Sequence, residues 1–281
     1  MKKFLAVICA ACMLMTGCGG EQQHELDEDD GKAKIGVITR LNADEHEFNA
    51  HMNKLETMYR PSNINSNVEY KYFDKMNDMQ LALESGQIDM LITYQNVAEY
   101  MIQRSDNKEI LLSERNLADY FCFAVREGDT MLKNNLDKAI KAMIKDGTLA
   151  KLSKRYIIDL KNGKEPPAVP INQIEGADTI KVAVTGDLPP FDMVLADGTP
   201  AGFSTAVLAE VSKRINRNIE LVSVDSAARA AILSSKGADV VFWVAVPKNS
   251  NLFPENIDQP AGIAVSEPYY RDFITHVGLK K

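Results

Sequence analysis

From Lys34 onward, short apolar runs alternate with stretches of helical periodicity. No other feature narrows the fold as much. Ile35 to Ile38 is a continuous apolar run of strand length. Asn42 followed by Glu45 forms a helix start, the Asn side chain accepting from free backbone N–H groups and the Glu reaching back. Phe48, Met52, Leu55 and Met58 then recur at helical spacing. Val68 to Phe73 alternates as a strand, Asp78 to Glu84 reads as a helix stopped near Gly86, and Ile88 to Thr93 reads as a strand. Val97 to Gln103 is helical and Ile110 to Leu112 is again a strand. This β-α-β-α-β-α-β order predicts an α/β fold with a mainly parallel sheet covered by helices.

A second unit repeats the pattern. Residues 121–125 form a strand, and Leu132, Leu136, Ile140 and Met143 share one helix face that Gly147 ends, with Leu149 to Ile157 continuing. Residues 161–178, with three prolines and two glycines, have the composition of a linker. Ile180 to Val184 is a strand. Phe203, Val207, Val211 and Ile215 make an apolar stripe, so 203–216 is an amphipathic helix. Ile219 to Val224, Ala227 to Ser234 and Val240 to Val246 follow as strand, helix and strand. The turn Leu83-x-Ser85-x-x-x-Asp89 has the spacing of Leu233-x-Ser235-x-x-x-Asp239. Each ends a helix and enters an apolar strand, which favours two related lobes, although Gly and Asp are also ordinary turn residues.

The N-terminus reads as an export signal. Lys2-Lys3 precedes an apolar segment from Phe4 to Met15, too short for the ~20 residues that span a bilayer. Residues 1–17 are then a signal peptide. Met15-Thr16-Gly17-Cys18 resembles a bacterial lipobox, with Cys18 the lipidated residue, although leucine is usual at Met15. An ordinary signal peptide with an incidental cysteine is the alternative. Residues 18–33, Gly-rich and then acidic, form a flexible tether. A net charge of −7, or −9 without Lys2 and Lys3, argues against a nucleic-acid partner. Cys18 and Cys122 form no disulfide framework and no metal spacing, and Cys122 in its apolar run reads as a buried small hydrophobe.

Several segments together resemble one family, the bacterial extracellular solute-binding proteins of the amino-acid-binding type (family 3), with the type II periplasmic fold. Ile180 to Phe191 (IKVAVTGDLPPF), with Asp197-Gly198 and Gly202-Phe203, resembles the start of the mature family domain. Ala238 to Val241 resembles its third strand, and Ser266 to Tyr270 the segment that closes its first lobe. Gly31 to Val37 resembles the beginning of the second lobe; Tyr120 to Asp129 and Asp146 to Lys151 resemble the closing stretch. The order is rotated relative to the family. The resemblance therefore implies a two-lobed fold in circularly permuted order, with a second-lobe-like domain at 34–119 and a first-lobe-like domain at 120–281 that contains the linker 161–178. Two truncated tandem copies are the alternative. One covalent connection near Asp119-Tyr120 is expected between the lobes, and Phe273 to Leu279 is expected as a second hinge strand beside 121–125.

Ligands of open α/β sheets sit beyond the carboxyl ends of strands, which directs attention to the loops after them. Those loops supply Arg40 and Asn42, Tyr94, Asp187 and Phe191, and Trp243 as ligand-binding candidates. Phe191, Trp243 and Tyr94 can stack on a ring or surround a cation; core packing is the other reading of each. Arg40 is an anion contact or a solvated surface charge. The resemblance implies a carboxylate-binding arginine in a Thr-x-x-Arg pattern, where this chain has Val246-Pro247-Lys248-Asn249-Ser250. It also implies an ammonium-binding Asp where this chain has Tyr94. A standard free α-amino acid is therefore not the expected ligand.

Function follows as an expectation: a lipid-anchored solute-binding protein of the cell envelope, closing on a small polar or aromatic solute for an ABC-type importer. A sensor or partner-docking protein with the same fold, and a cyclohexadienyl-dehydratase-like enzyme, are the alternatives. The four histidines, at 24, 46, 51 and 276, give no catalytic constellation, so no enzyme, cofactor or metal is expected. The expected partners are the solute, an ABC permease or membrane sensor, and the membrane through the anchor. The protein is expected to be a monomer.

Overall fold

A computed structural model of the chain describes residues 31–39, 41, 49–50, 68–160, 163–248 and 258–280, with the backbone alone at 111–117. The expected signal peptide, Cys18, nearly all of the tether and most of the 42–58 helix lie outside the described residues.

Two groups of parallel strands form, each from the apolar runs noted above. The first contains β1 (Ala33–Ile38), β2 (Val68–Phe73) and β3 (Met90–Tyr94), with β1 parallel to both neighbours. Helices α1 (Met76–Glu84) and α2 (Gln95–Ile102) connect and cover them. Helix α1 approaches β1 closely enough that a Cβ on Gly36 would meet Ile88 Cδ1 at 2.6 Å and Met79 Cγ at 2.9 Å. The second group contains β5 (Thr179–Val184), β9 (Asn218–Ser223) and β10 (Val240–Val246), with β5 parallel to both others, while β6 (Asp187–Leu188), β7 (Asp192–Val194) and β8 (Pro200–Ala201) form a small antiparallel sheet of their own. Helices α3 (Thr130–Lys145), α4 (Thr148–Tyr156), α5 (Phe203–Ile215) and α6 (Arg229–Ser234) belong to this group. Every residue of β10 is buried, as expected for a continuous apolar run covered on both faces.

Two long strands join the groups into one sheet. β4 (Lys108–Arg126) runs for 19 residues, and β12 (Tyr270–Leu279) for 10. The order is β2-β1-β3-β12-β4-β10-β5-β9, with β11 (Ile263–Val265) also paired to β4. The separate strands expected at 110–112 and 121–125 are therefore one strand, and the expected connection at Asp119-Tyr120 lies inside it. β12 also pairs differently from expectation. Ile274 to Leu279 runs beside 108–114 and Phe273 faces Ala118; only Tyr270 reaches Phe121. The register skips Arg115, Asn116 and Leu117 between these stretches. Such an irregularity bends a strand where it occurs, here at the passage from one group to the other.

The proline-bearing linker is docked rather than free. Ala168 bridges Ala201, and the Val169 N–H donates to Pro200 O at 2.9 Å. The Asn218 amide accepts from Ile174 N–H at 2.7 Å and donates to Ala177 O at 2.8 Å. Linker composition marks a segment without regular structure, and side-chain amides can still pin such a segment. The described residues from Lys32 onward pack as one unit. No helix among the described residues is long and apolar enough to cross a membrane.

Candidate functional site

The sheet register places the site. β3 ends at Tyr94, which pairs with Ile274, and Ile274 pairs with Glu114 at the middle of β4. β10 runs the other way and ends at Val246, opposite Tyr120, also near the middle of β4. The carboxyl ends of both strand groups therefore converge there, where ligands of open α/β sheets bind. A small cleft opens at this point. Its lining includes Ile38, Tyr94, Leu188, Trp243, Asp258 and Ile274.

Trp243 sits at a bulge. Between Val241 and Val244, β10 has one residue more than the facing stretch of β4. A bulge re-aims a side chain that regular alternation would have placed elsewhere. The indole is 5% exposed, and Tyr94 meets it edge-on at 6.5 Å between centroids. The Trp243 Nε1 is buried with no hydrogen-bond partner, a state that costs about 1–3 kcal/mol when nothing accepts the proton. Tyr94 gives its hydroxyl to Asp119 Oδ2 at 3.2 Å, which fixes the ring against the cleft wall.

Phe191 is elsewhere. It is completely buried, packed on Phe121 at 4.7 Å and Tyr270 at 5.3 Å, and it supports the wall from behind. The prolines before it suggest a loop, but the loop folds inward, and Leu188 takes the place at the cleft. Asp192 holds this loop: its Oδ2 accepts from Thr185 N–H, Thr185 Oγ1 and Gly186 N–H at 2.9–3.0 Å. Burial nonetheless pushes the Asp192 carboxyl up to about 6, the three donors opposing it. Arg40 and Asn42 lie outside the described residues.

Asp187 does not face open solvent. Its Oδ2 accepts the Met76 backbone N–H at 2.7 Å, across the cleft at the start of α1. Lys75 at the N-cap makes no side-chain cap, so Asp187 supplies from another element the acceptor that a helix start lacks. Burial raises the Asp187 carboxyl, and the Met76 donor works against that shift. Nearby, Ser226 N–H donates to Asp74 O at 3.3 Å, and Lys75 Nζ lies 3.3 Å from Asp225 Oδ1.

Arg229 escaped the sequence reading. It is 1% exposed, and its guanidinium stacks over the Trp243 ring at 4.5 Å. Its donors reach Ser226 O at 3.1 Å, Trp243 O at 2.9 Å and, across the cleft, Thr39 O at 3.1 Å. The signal was present: Arg229 and Leu233 are four apart, on the buried face of α6. An arginine on an apolar stripe is held inside by a purpose-built set of acceptors.

The described residues contain no cluster of three or more His, Cys, Asp or Glu side chains suited to a metal. Cys122 is fully buried, and burial pushes its thiol up to about 12, far from the reactive thiolate.

No curated protein matches the chain in sequence. A solved structure of the ligand-binding component of an ABC-type import system from Staphylococcus aureus, with zinc bound, aligns over 87% of this chain and 65% of its own, at 15% identity and a TM-score of 0.42. The BvgS periplasmic domain of B. pertussis aligns over 90% of this chain and 38% of its own, at 13% identity and 0.41. The CcmR regulatory domain of Synechocystis PCC6803, in complex with 2-PG, aligns over 89% of each chain, at 8% identity and 0.38. The chain thus spans under two thirds of the length of the first two. The model of one sequence family matches residues 62–159 and 180–247, more than half of the chain and most of both strand groups. The chain belongs to the bacterial extracellular solute-binding proteins, family 3.

Proposed function

We propose that this protein is a lipid-anchored receptor of the cell envelope that closes its two strand groups on a small solute and hands it to an ABC-type importer. The observation that carries the reading is the convergence of both sets of strand ends on one cleft, with Tyr94 and Trp243 set edge to face inside it. The ligand is a small polar or aromatic solute rather than a standard free α-amino acid. Supporting this, the chain reads Val246-Pro247-Lys248 where the family's amino-acid binders carry their arginine pattern, and the Tyr94 hydroxyl is engaged by Asp119.

The reading extends to architecture. The order of the chain is a circular permutation, with 34–119 and 120–281 as the two lobes and β4 and β12 as the strands between them. A rearranged chain carrying 180–281 ahead of 33–160 is expected to keep the same solute profile. Loss of folding in that chain counts for two tandem partial copies. Cys18 carries the lipid, so labelled fatty acid is incorporated into the wild type and not into Cys18→Ser.

Trp243 is the single tryptophan of the chain, so its fluorescence reports directly on the cleft. A thermal-shift screen of small solutes, with hits confirmed by Trp243 emission and native mass spectrometry, tests the function. Stabilisation by at least one solute supports it. A complete lack of response across sugars, organic acids, amino acids and aromatic solutes rejects it.

A second reading, a membrane-bound sensor or docking protein, is favoured by one observation. Asp187 and Arg229 already connect the two sides of the cleft through protein atoms.

A further inference from the structure

The cross-cleft contacts have a common character. In a two-lobed binder, a solute draws the two sides together by bonding to both. Here protein groups make such bonds at two separate points. At one, Arg229 Nη2 from α6 donates to Thr39 O at the end of β1, at 3.1 Å. At the other, Asp187 Oδ2 accepts the Met76 N–H at the start of α1, at 2.7 Å. The residues that make the reach, Asp187 and Arg229, belong to the 120–281 side, and the backbone groups they bind belong to the 34–119 side. Ser226 N–H to Asp74 O and Lys75 to Asp225 extend the same seam.

We infer that Arg229 is a positioning residue that, with Asp187, holds the cleft closed before any solute arrives and sets Trp243 as its inner wall. The inference rests on the solute-binding reading for what enters the cleft, and on geometry alone for the closure.

The physical case is strongest for Arg229. A planar guanidinium offers five N–H donors in a fixed fork. Three of its bonds go to carbonyls on three different segments, those of Ser226, Trp243 and Thr39. The same plane lies over the Trp243 ring. One side chain thus fixes the indole from its face, its own backbone from the carbonyl, and the opposite wall through Thr39. Hydrogen bonds from a charged donor are stronger than neutral ones, and more so away from water. If the cleft opened, the Thr39 bond would break and the indole would meet solvent. Asp187 repeats the logic with opposite charge, because an ionised carboxylate at a helix start is favoured by the free N–H groups and the helix dipole.

The experiment uses the full-length protein in detergent, dialysed free of solute and shown by native mass spectrometry to carry no bound small molecule. Acrylamide quenching of Trp243 measures solvent access to the cleft, and amide hydrogen exchange follows Met76. In the solute-free wild type we expect blue-shifted emission, weak quenching and a protected Met76 amide. Arg229→Gln should raise the quenching constant several-fold while the β4 and β10 amides stay protected, which separates opening from unfolding. Asp187→Ala should free the Met76 amide and raise quenching in the same direction, again with the β4 and β10 amides still protected. Arg229→Lys, which keeps the charge without the fork, should fall between wild type and Arg229→Gln. A solute-free wild type with red-shifted, readily quenched emission overturns the inference. So does Asp187→Ala with wild-type quenching and exchange. Neither result touches the solute-binding reading, which fails only if no solute stabilises the protein.

Discussion

Asp272 and Asn96 meet across 176 residues of sequence, the carboxylate oxygen of the first accepting the backbone N–H of the second at 3.1 Å. Asp272 stands on β12 and Asn96 in the first turn of α2. Tyr94, the N-cap of that helix, makes no side-chain cap of its own. The strand between the two groups therefore caps the helix that carries the Tyr94 cleft wall. Asp272 is also 2% exposed, and burial pushes its carboxyl up to about 6 against the opposing Asn96 and Phe273 donors. An unfolded aspartate titrates near ~3.9. The folded form thus holds this proton more tightly than the unfolded form. Its contribution is fully present below about pH 4 and is lost as pH rises through about 6. Asp192 behaves in the same sense. Stability measured by urea unfolding is expected to fall between pH 4.5 and 7 through these two groups, by on the order of 2 kcal/mol each. Asp272→Asn, whose amide oxygen still accepts from Asn96, should remove its share of that slope. An identical slope in the variant contradicts the assignment.

Trp243 separates two roles that a single alanine substitution would mix. Trp243→Ala empties a packed position and should cost about 3–5 kcal/mol, with the solute response abolished. Trp243→Phe keeps an aromatic ring under Arg229 and removes only an N–H that has no partner. Its melting temperature should stay near that of the wild type while calorimetric solute affinity drops. Unchanged affinity in both variants removes Trp243 from the site.

Gly202 precedes α5 with φ of +105°, and a Cβ there would lie 2.4 Å from Phe191 O. Any side chain must displace the backbone of the loop that ends at Phe191. Gly202→Ala should therefore destabilise by roughly 2–4 kcal/mol, combining left-handed strain with overpacking. Chemical denaturation of the variant checks the value. A loss below that of an ordinary exposed Gly→Ala change would show that the loop yields freely.

Cys122 should resist thiol reagents in the folded protein, because the group is fully buried and its thiolate is suppressed. Peptide mapping after brief alkylation is expected to find Cys122 unlabelled at pH 8 and labelled once urea unfolds the chain. Rapid labelling of the folded protein would contradict the burial.

Most elements were legible because their signals are local. The stripe Phe203, Val207, Val211, Ile215 marks α5 to within a residue, and the run Val240 to Val246 marks β10. The helix starts were less legible. The pattern opens α1 at Asp78 and α2 at Val97, whereas these helices begin at Met76 and Gln95. Their caps come from Asp187 and Asp272, and no window of sequence around either helix contains those residues. Of the site candidates, Tyr94 and Trp243 come together at the cleft, Asp187 lies beside it bonded to Met76, and Phe191 sits behind it in the core. Arg229 was passed over because a charged residue in a short helix reads as surface until its acceptors are known.

The residue pattern by itself determined most of the strand and helix order, the family resemblance and the choice of Tyr94 and Trp243 as aromatic candidates. Each depends on periodicity or on motifs spanning fewer than about 20 residues. Tertiary structure alone decided that 110–112 and 121–125 are one strand and that a bulge presents Trp243. It also decided that Asp187 and Arg229 bind the opposite side of the cleft. The physical reason is that a buried polar group is stable only beside its partners. Those partners are backbone atoms of distant segments, and a backbone carbonyl has no signature in sequence.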